Sequence, residues 1–470
     1  KEIRCFSHVH CWQLAGVPVM PTTGEVKGHK GMDAYKSTYS HETEIVKPGY
    51  HKVELDTYQI RVELTSTSRV GMHRYTYPAG EKANVLFDVG ALLAHGKTEK
   101  AAIHRISSKE IGGYSVLAPT SRRKKPVTVY FVARFNQNMT AFGGWEKEGK
   151  EKKLVHKNSI EGADIGGYAS FGKLKKQTLL MKVGISYVSE EQARINLEKE
   201  LAHWNFDRVK EDAFAEWNRE LGKITVEGGS EEEKIKFYTD LWHSLLGRHT
   251  FSDFNGKYID NTGEEPVVRQ VPLDNGTPTR NTYNSDAFWG SEFNLNILWS
   301  IAYPKVMSEF VSTLVDYYTN GGMIARGPSG GNYTYVMVGD QATPLIAAAY
   351  NKGIRDFDIE SAYQGCLKNS EPGGIRDYVG YKTNPGNFMQ QYVDKGFVPE
   401  PTTKSPHAEG CAMTLYFAYE DWCMAQFAKG LEKEDVYRKY LQRSFNYRYV
   451  YDKQSGWMRP RTTDGSWMRN

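Results

Sequence analysis

The chain has 470 residues, which is too long for one ordinary domain and predicts two large ones. Hydrophobic residues make up 40% and charged residues 25%, as in typical globular proteins. The net charge of +4 is small for this length, so it gives no indication of nucleic-acid binding. No apolar run reaches the roughly 18 to 20 residues that cross a bilayer, and we predict no membrane span.

Residues 1–187 have the pattern of an antiparallel β-sandwich. Apolar and polar residues alternate over 53–64, while β-branched and aromatic residues dominate 127–135 and 178–188. Turn-forming Gly, Pro, Asp and Asn separate these segments. Many short strands punctuated in this way predict a sandwich.

From residue 188 the period changes to that of a helix. A capping-box pattern at 189–192 predicts a linker helix within 188–229. A second one at 230–233 begins a series of helices that continues towards residue 470. Helices joined by long loops that contain Gly and Pro predict an (α/α) helical barrel over 230–470.

Five segments carry a family resemblance. They read Phe-Ser-His-Val-His at 6–10, Tyr-Ser-His-Glu-Thr-Glu at 39–44, Arg-Val-Gly-Met-His-Arg-Tyr-Thr-Tyr-Pro at 69–78, Gly-Asp-Gln-Ala-Thr-Pro at 339–344, and Tyr-Glu-Asp-Trp at 419–422. In this order they resemble family 92 glycoside hydrolases, which are calcium-dependent exo-acting α-mannosidases. Motifs in the right order over nearly the whole chain are more specific than any one of them.

The resemblance implies a sandwich followed by the first part of an (α/α)6 barrel. In that family the general acid, the general base and most calcium contacts follow the region that corresponds to the end of this sequence. The resemblance therefore implies a chain truncated at both ends, with unknown catalytic residues. The resemblance also places the Ca²⁺ ligands and the remaining C-terminal part of the barrel outside these 470 residues. It also implies inverting hydrolysis of mannose-containing glycans and a secreted, periplasmic or cell-surface location.

Two positions depart from the family pattern. Where the family has Trp-Asp-Thr-Phe-Arg, residues 288–293 read Phe-Trp-Gly-Ser-Glu-Phe, so Gly290 replaces an Asp that reaches sugar hydroxyls. Gln341 stands where the family has His. These departures predict a divergent branch with altered sugar preference or weak activity. They also keep open a second hypothesis, a catalytically impaired carbohydrate-binding relative.

The segment around Trp289 is the first candidate sugar subsite. An aromatic ring can stack on the C–H face of a sugar, which makes Trp289 the candidate platform. Asp286 and Glu292 are the candidates to replace the carboxylate lost at Gly290. The structural alternative for this segment is a capped helix start with a buried Trp.

Four further residues are candidate sugar contacts. Arg326 lies in a Gly-rich loop, where the backbone can approach a ligand closely. Asp340 precedes a helix, so helix capping is its structural alternative. His8 and His10 share one face of a strand, and we predict that they face the barrel. Metal binding by this His-x-His pair is the weaker alternative, and we assign no metal ligand.

A third hypothesis is a different sandwich-plus-barrel carbohydrate enzyme, such as a glycoside phosphorylase or a polysaccharide lyase. The absence of the family's Asp fits it, whereas the ordered motifs argue against it. The five cysteines do not have zinc-finger or Cys-x-x-Cys spacing, so they predict no metal site.

Overall fold

The computed structural model describes most of the chain, without the side chains of His10 and Ala15. The described residues are 1–10, 14–91, 96–175, 177–285, 288–380, 385–401 and 409–468. Strands dominate up to residue 186, and helices dominate from residue 190 onwards. This order confirms the predicted β-rich part followed by a helical part.

The strands of the β-rich part are short and closely spaced. They are β1 (Glu2–Ile3), β2 (Val9–His10), β3 (Ala15–Gly16), β4 (Val19–Thr23), β5 (Ser37–Thr38), β6 (Ile45–Lys47), β7 (Tyr50–Leu55), β8 (Ile60–Ser66), β9 (Val70–Thr76), β10 (Lys82–Phe87), β11 (Thr98–Arg105), β12 (Glu110–Leu117), β13 (Val127–Phe135), β14 (Ala141–Glu148), β15 (Glu151–Val155), β16 (Ser159–Gly162), β17 (Gly166–Lys173) and β18 (Thr178–Ser186).

Two large antiparallel sheets form the sandwich. The nine-stranded sheet has the order β16-β11-β12-β13-β18-β9-β8-β7-β6, and the five-stranded sheet has the order β15-β14-β17-β10-β4. Between them lies one apolar core, to which Val85, Phe131 and Trp145 contribute fully buried side chains. The other face of the larger sheet buries Met72 and Val132 in a second cluster.

The predicted strands at 127–135 and 178–188 are confirmed as β13 and β18. The alternation over 53–64, however, covers two strands instead of one. Residues 56–59 form a turn between β7 and β8, and Gln59 has a left-handed φ of 53°. The polar residues of the turn continue the alternation by chance, so the pattern hides the hairpin.

The helical part also contains several two-stranded ribbons. The helices are α1 (Met32–Tyr35), which lies in the sandwich, α2 (Glu190–Glu200), α3 (Phe206–Leu221), α4 (Glu231–Leu246), α5 (Leu295–Ala302), α6 (Pro304–Gly321), α7 (Ala342–Asn351), α8 (Ile359–Asn369), α9 (Phe388–Lys395), α10 (Gly410–Gly430) and α11 (Glu434–Ser444). The remaining strands are β19 (His249–Thr250), β20 (Lys257–Asp260), β21 (Val267–Gln270), β22 (Leu273–Asp274), β23 (Thr277–Pro278), β24 (Tyr283–Asn284), β25 (Tyr451–Asp452) and β26 (Trp457–Met458).

The predicted linker helix is two helices, α2 and α3. Ser189 caps α2 by accepting the Gln192 N–H at 3.1 Å, and Asn205 starts α3 by accepting the Arg208 N–H at 3.1 Å. A second cap in the middle of the segment is the physical reason for the break. The capping box predicted at 230–233 is confirmed, with both reciprocal bonds between Ser230 and Glu233.

A loop of the helical part docks on α2 and joins the two parts of the chain. The Asp253 carboxylate accepts from the Ser186 hydroxyl at 2.9 Å and from the Asn196 amide at 2.8 Å. The Phe254 N–H donates to the Asn196 side-chain oxygen at 2.8 Å. These buried bonds fix the end of the sandwich against the start of the helical part. The exact domain limits at 187 and 229 stay a proposal.

Helices α6, α7 and α10 supply most of the helical core. Phe310, Leu314, Ile346 and Phe427 are all fully buried there. Helix α10 packs against both α7 and α11, and α5 lies against α6 and α7. The helical packing positions the loops before α5 and α7, which carry the candidate residues.

Candidate functional site

Trp289 lies in the loop between β24 and a short 3-10 helix at Ser291–Phe293. Its ring is 42% exposed, although large aromatic side chains normally bury most of their surface. The Tyr416 ring of α10 lies beside it, with 5.9 Å between the ring centroids and 36° between the ring planes. The two rings therefore form an open aromatic surface that is suited to stacking.

Glu292 lies next to this surface but is 91% buried, since only 9% of it is exposed. Its Oε2 atom is buried and has no hydrogen-bond partner among the described residues. Burial raises the pKa of the Glu292 carboxyl, and nearby backbone N–H groups at residues 290 and 292 oppose this shift. A buried acceptor without a partner is costly, and a ligand hydroxyl or a water molecule would remove that cost.

Several other buried polar atoms between residues 285 and 299, and two of Arg248, which lies over the Trp299 ring, also lack a hydrogen-bond partner among the described residues. Because native proteins satisfy most buried polar groups, such a concentration marks a place where a polar molecule is expected. The atoms are Ser285 Oγ, Ser291 Oγ, Asn296 Oδ1 and Nδ2, Trp299 Nε1, and Arg248 Nε and Nη2.

Arg248 is a buried cation that the sequence did not reveal. Its guanidinium lies over the Trp299 ring at 4.0 Å and the Phe310 ring at 4.9 Å. Burial lowers its pKa to about 9. In the sequence, Arg248 comes just after the end of α4, and no pattern of charged residues around it indicates a special role. Its contacts stabilise the aromatic layer under the Trp289 loop.

Arg326 is almost fully buried and holds two loops together. Its Nε donates to the Gly339 carbonyl at 2.8 Å, one terminal nitrogen donates to the Tyr378 carbonyl at 2.7 Å, and the other donates to the Ile375 carbonyl at 2.8 Å. The first terminal nitrogen also reaches the Val336 carbonyl at 3.1 Å. These bonds support a positioning role for Arg326, and sugar contact by it stays a prediction.

Asp340 is fully buried at the start of α7. Its Oδ2 accepts from the Thr343 hydroxyl at 2.6 Å, and its Oδ1 has no hydrogen-bond partner in the described part of the chain. Its N–H donates to the Glu420 carboxylate. The contact with Thr343 is a bond between side chains, and no side chain of the described residues caps the start of α7, where Gln341 is the N-cap residue. The structural alternative of a helix cap at Asp340 is therefore not what the structure shows, and the Oδ1 atom leaves room for a ligand or water contact.

A network of buried charges lies beneath Asp340. Arg376 is fully buried between Glu420, at 3.0 Å, and Asp421, at 2.7 Å, and Arg443 also binds Asp421 at 2.7 Å. Burial raises the pKa of Glu420, and Arg376 opposes the shift. Removal of one partner from such a buried ion pair is strongly destabilising, because it leaves an uncompensated buried charge. The motif at 419–422 contains two of these acids, but only the fold shows their arginine partners.

His8 lies in the sandwich, hydrogen-bonded to His73. The two Nε2 atoms are 2.7 Å apart, and His8 Nδ1 is 2.7 Å from the Val17 carbonyl oxygen. The two histidines line a cleft of about 410 Å³, and Trp242 of α4 also lines it. Among the described residues that line this cleft, Trp289 and Glu292 do not occur. Asp286 and the side chain of His10 lie outside the described part of the chain.

The family of the chain follows from comparison with known proteins. The model of the glycosyl hydrolase family 92 N-terminal domain matches residues 1–186, and that of the family 92 catalytic domain matches residues 192–470. The chain belongs to glycosyl hydrolase family 92. The resemblance inferred from the sequence motifs is thus confirmed.

Individual relatives agree with this membership. An uncharacterized secreted glycosidase from Arthroderma benhamiae is 25% identical over 313 residues, which are 61% of this chain and 34% of that protein. The α-mannosidase BT3965 of Bacteroides thetaiotaomicron is 27% identical, with a TM-score of 0.83 over 97% of this chain and 59% of that one. The inverting mannosidase BT2199 of the same organism is 23% identical, with a TM-score of 0.86 over 100% of this chain and 60% of that one, and shows the shared fold.

The chain spans about a third of the curated relative and 59% of the BT3965 structure. A second structure of BT3965 contains mannoimidazole, and this chain matches it with a TM-score of 0.83 and 27% identity over 97% of this chain and 57% of that one. The β-rich part and the helical part thus follow the family's arrangement.

Proposed function

We propose that the protein is an exo-acting, inverting α-mannosidase-like glycoside hydrolase that acts on mannosylated glycans. Membership in family 92 over both parts of the chain carries this proposal. The relative BT3965 is described as an α-mannosidase and has been solved with mannoimidazole. The open Trp289 ring beside the unpartnered Glu292 oxygen supports a sugar contact at this loop.

In this proposal Trp289 stacks on the sugar ring and Glu292 accepts a sugar hydroxyl. The apolar C–H face of a pyranose matches the Trp face, and one of its hydroxyls would donate to the Glu292 oxygen. Arg326 and the charges beneath Asp340 hold the neighbouring loops. The general acid and base are proposed outside the residues named here.

The described residues do not fit a calcium site. They contain no group of three or more His, Cys, Asp or Glu side chains able to hold a metal ion. Calcium prefers several oxygen ligands, carboxylates above all. We therefore derive no step through calcium, and the calcium dependence that the resemblance implies stays a prediction.

We also propose that the apolar face of α5 packs against further protein, as the barrel interpretation requires. Ile297 and Ile301 lie on one face of α5 at four-residue spacing, with 49% and 75% of their surfaces exposed, and Phe293 of the preceding 3-10 helix is 69% exposed. Trp422 of α10 is 48% exposed. Exposed apolar stripes of this kind mark interaction surfaces.

The proposed location is secreted, periplasmic or cell-surface. The relative from Arthroderma benhamiae is described as secreted. No helix in the described ranges combines the length and the apolarity that a membrane crossing needs.

Hydrolysis of a panel of aryl α- and β-glycosides by the full-length enzyme tests the function. We expect release from α-mannosides alone, with β-mannose as the first product in proton NMR because inversion changes the anomeric configuration. Release that requires phosphate would instead support a phosphorylase, and an unsaturated product would support a lyase. Binding of mannosides without turnover would support the catalytically impaired relative.

A further inference from the structure

Tyr416 lies in the middle of the candidate site, although the sequence patterns did not single it out. It is half-buried on α10, and its ring forms the second half of the aromatic surface with Trp289. No residue in the described part of the chain hydrogen-bonds to its hydroxyl. With no bond from the described residues, this phenol hydroxyl is available as both a donor and an acceptor.

The helix around Tyr416 is held rigidly from two sides. Glu420, one turn further on and therefore on the same helix face, is bound by Arg376 at 3.0 Å and by the Asp340 N–H. The adjacent Phe417 is fully buried against the Tyr392 ring at 5.4 Å. The position of Tyr416 is thus fixed in advance, as a binding group requires.

The electrostatic surroundings of Tyr416 also resemble those of a hydroxyl-binding group. Glu292 lies near enough that its charge, after burial, raises the pKa of Tyr416 to about 12. The hydroxyl therefore keeps its proton at neutral pH and can donate it. The Glu292 oxygen without a partner is an acceptor in the same neighbourhood.

We propose that Tyr416 is a substrate-contact residue, whose ring extends the Trp289 surface and whose hydroxyl hydrogen-bonds to a hydroxyl of the bound sugar. This inference rests on the proposed function, because it takes the ligand to be a manno-configured sugar. The surface would then recognise the ligand through three groups on two elements: a stacking ring on the loop, and a ring and a hydroxyl on α10.

Removal of the hydroxyl alone tests this proposal. Calorimetry with mannoimidazole as the probe compares the full-length wild type with Tyr416→Phe, Trp289→Ala and the control Tyr447→Phe. Tyr447 is 38% exposed and its hydroxyl is likewise without a bond among the described residues, so the control repeats the chemical change elsewhere. We expect about 3- to 10-fold weaker binding by Tyr416→Phe, since a neutral hydrogen bond contributes about 0.5–1.5 kcal/mol.

The possible outcomes separate the two proposals. Unchanged binding by Tyr416→Phe, together with weaker binding by Trp289→Ala, would show that Tyr416 only packs on Trp289 and would overturn the inference. Failure of the wild type to bind mannoimidazole would overturn the proposed function and this inference with it. Equal losses in Tyr416→Phe and Tyr447→Phe would also overturn the inference, because they would show a general effect on the fold. If Tyr416→Phe alone loses affinity and its melting temperature equals that of Tyr447→Phe, the loss of affinity is local and supports the inference.

Discussion

His8 and His73 share one hydrogen bond between their Nε2 atoms, 2.7 Å apart, and this bond fixes the protonation of both rings. The Val17 carbonyl can only accept, so His8 Nδ1 carries a proton and its Nε2 is the acceptor. His73 then donates from Nε2 and accepts at Nδ1 from the Tyr75 hydroxyl, 2.8 Å away. The hydrogen bonds run from the Tyr75 hydroxyl through His73 and His8 to the Val17 carbonyl. Every polar atom in this series has a partner only while both histidines are neutral.

Acid should therefore destabilise the sandwich through this pair. Burial lowers the pKa of His8 from 6.5 to about 4, so the folded state binds fewer protons than the unfolded state between these values. The stabilisation is fully present above pH 6.5 and is lost as the pH falls towards 4, by up to about 3 kcal/mol at 1.36 kcal/mol per pKa unit. Urea unfolding between pH 4 and pH 8 measures it.

A variant separates this effect from other titrating groups. Burial raises the pKa of both Asp88 and Asp253 to about 6, so their protonation stabilises the folded state as the pH falls and offsets part of the loss. In His73→Gln these acids are unchanged, whereas the histidine pair is broken. We expect a smaller loss of stability from pH 6.5 to pH 4 in this variant, and parallel curves for both proteins would contradict the assignment.

Trp289→Ala should reduce kcat/KM on α-mannosides by about one to two decades without unfolding the protein. A stacked ring contributes about 0.5–1.5 kcal/mol beyond its buried area, and about 1.4 kcal/mol corresponds to one decade. Glu292→Gln should lower activity similarly if its oxygen accepts a sugar hydroxyl. Trp457→Ala is the matched control, since Trp457 is 74% exposed on the hairpin of β25 and β26. Equal activity of Trp289→Ala and the wild type would assign the loop a structural role.

Local patterns predicted the fold better than the site. The capping box at Ser230 and the strand at 127–135 are confirmed because neighbouring residues decide them. The partnership of His8 with His73 joins residues 65 positions apart, and no local pattern encodes it. Trp289 could be chosen from the sequence because it is an aromatic residue within a polar segment. Its neighbour Tyr416 could not, since it lies on a helix more than a hundred residues later.

Arg69 should be the strongest single tie between the sandwich and the helical part. Its guanidinium binds Glu200 at 2.6 Å, the Ser252 carbonyl at 2.6 Å and the Asn281 side chain at 2.9 Å. Arg69→Ala removes the cation from the largely buried Glu200 carboxylate, which among the described residues keeps only its bonds from the Thr67 hydroxyl and the residue 69 N–H. We therefore expect a loss of about 3 kcal/mol in the free energy of unfolding. Arg61→Ala is the control, because its ion pair with Glu54 is exposed and contributes about 0–1 kcal/mol. Equal effects of the two variants in urea unfolding would contradict this role.

Calcium removal should abolish the activity of the full-length enzyme, and added Ca²⁺ should restore it, if the implied calcium dependence holds. The 470-residue chain by itself should bind Ca²⁺ weakly or not at all, because its described residues do not form a group of three or more side chains able to hold a metal ion. Calorimetric titration with CaCl₂ measures this, with MgCl₂ as the comparison. Tight stoichiometric binding would place the metal site within this chain.

Gly290→Asp should restore the carboxylate that the family carries at this position, at a cost in stability. Gly290 has a φ of 84°, so any side chain there is strained by about 1–2 kcal/mol, although Asp tolerates this region better than most residues. Space is not the obstacle, since an added Cβ would meet its nearest neighbour, Phe293, at 3.8 Å. Gly290→Ala imposes the strain without the carboxylate and is the matched control. We expect the Gly290→Asp variant to have a higher kcat/KM on α-mannosides than the Gly290→Ala variant. An equal loss of kcat/KM in both variants would mean that this branch no longer binds mannose in the family's geometry.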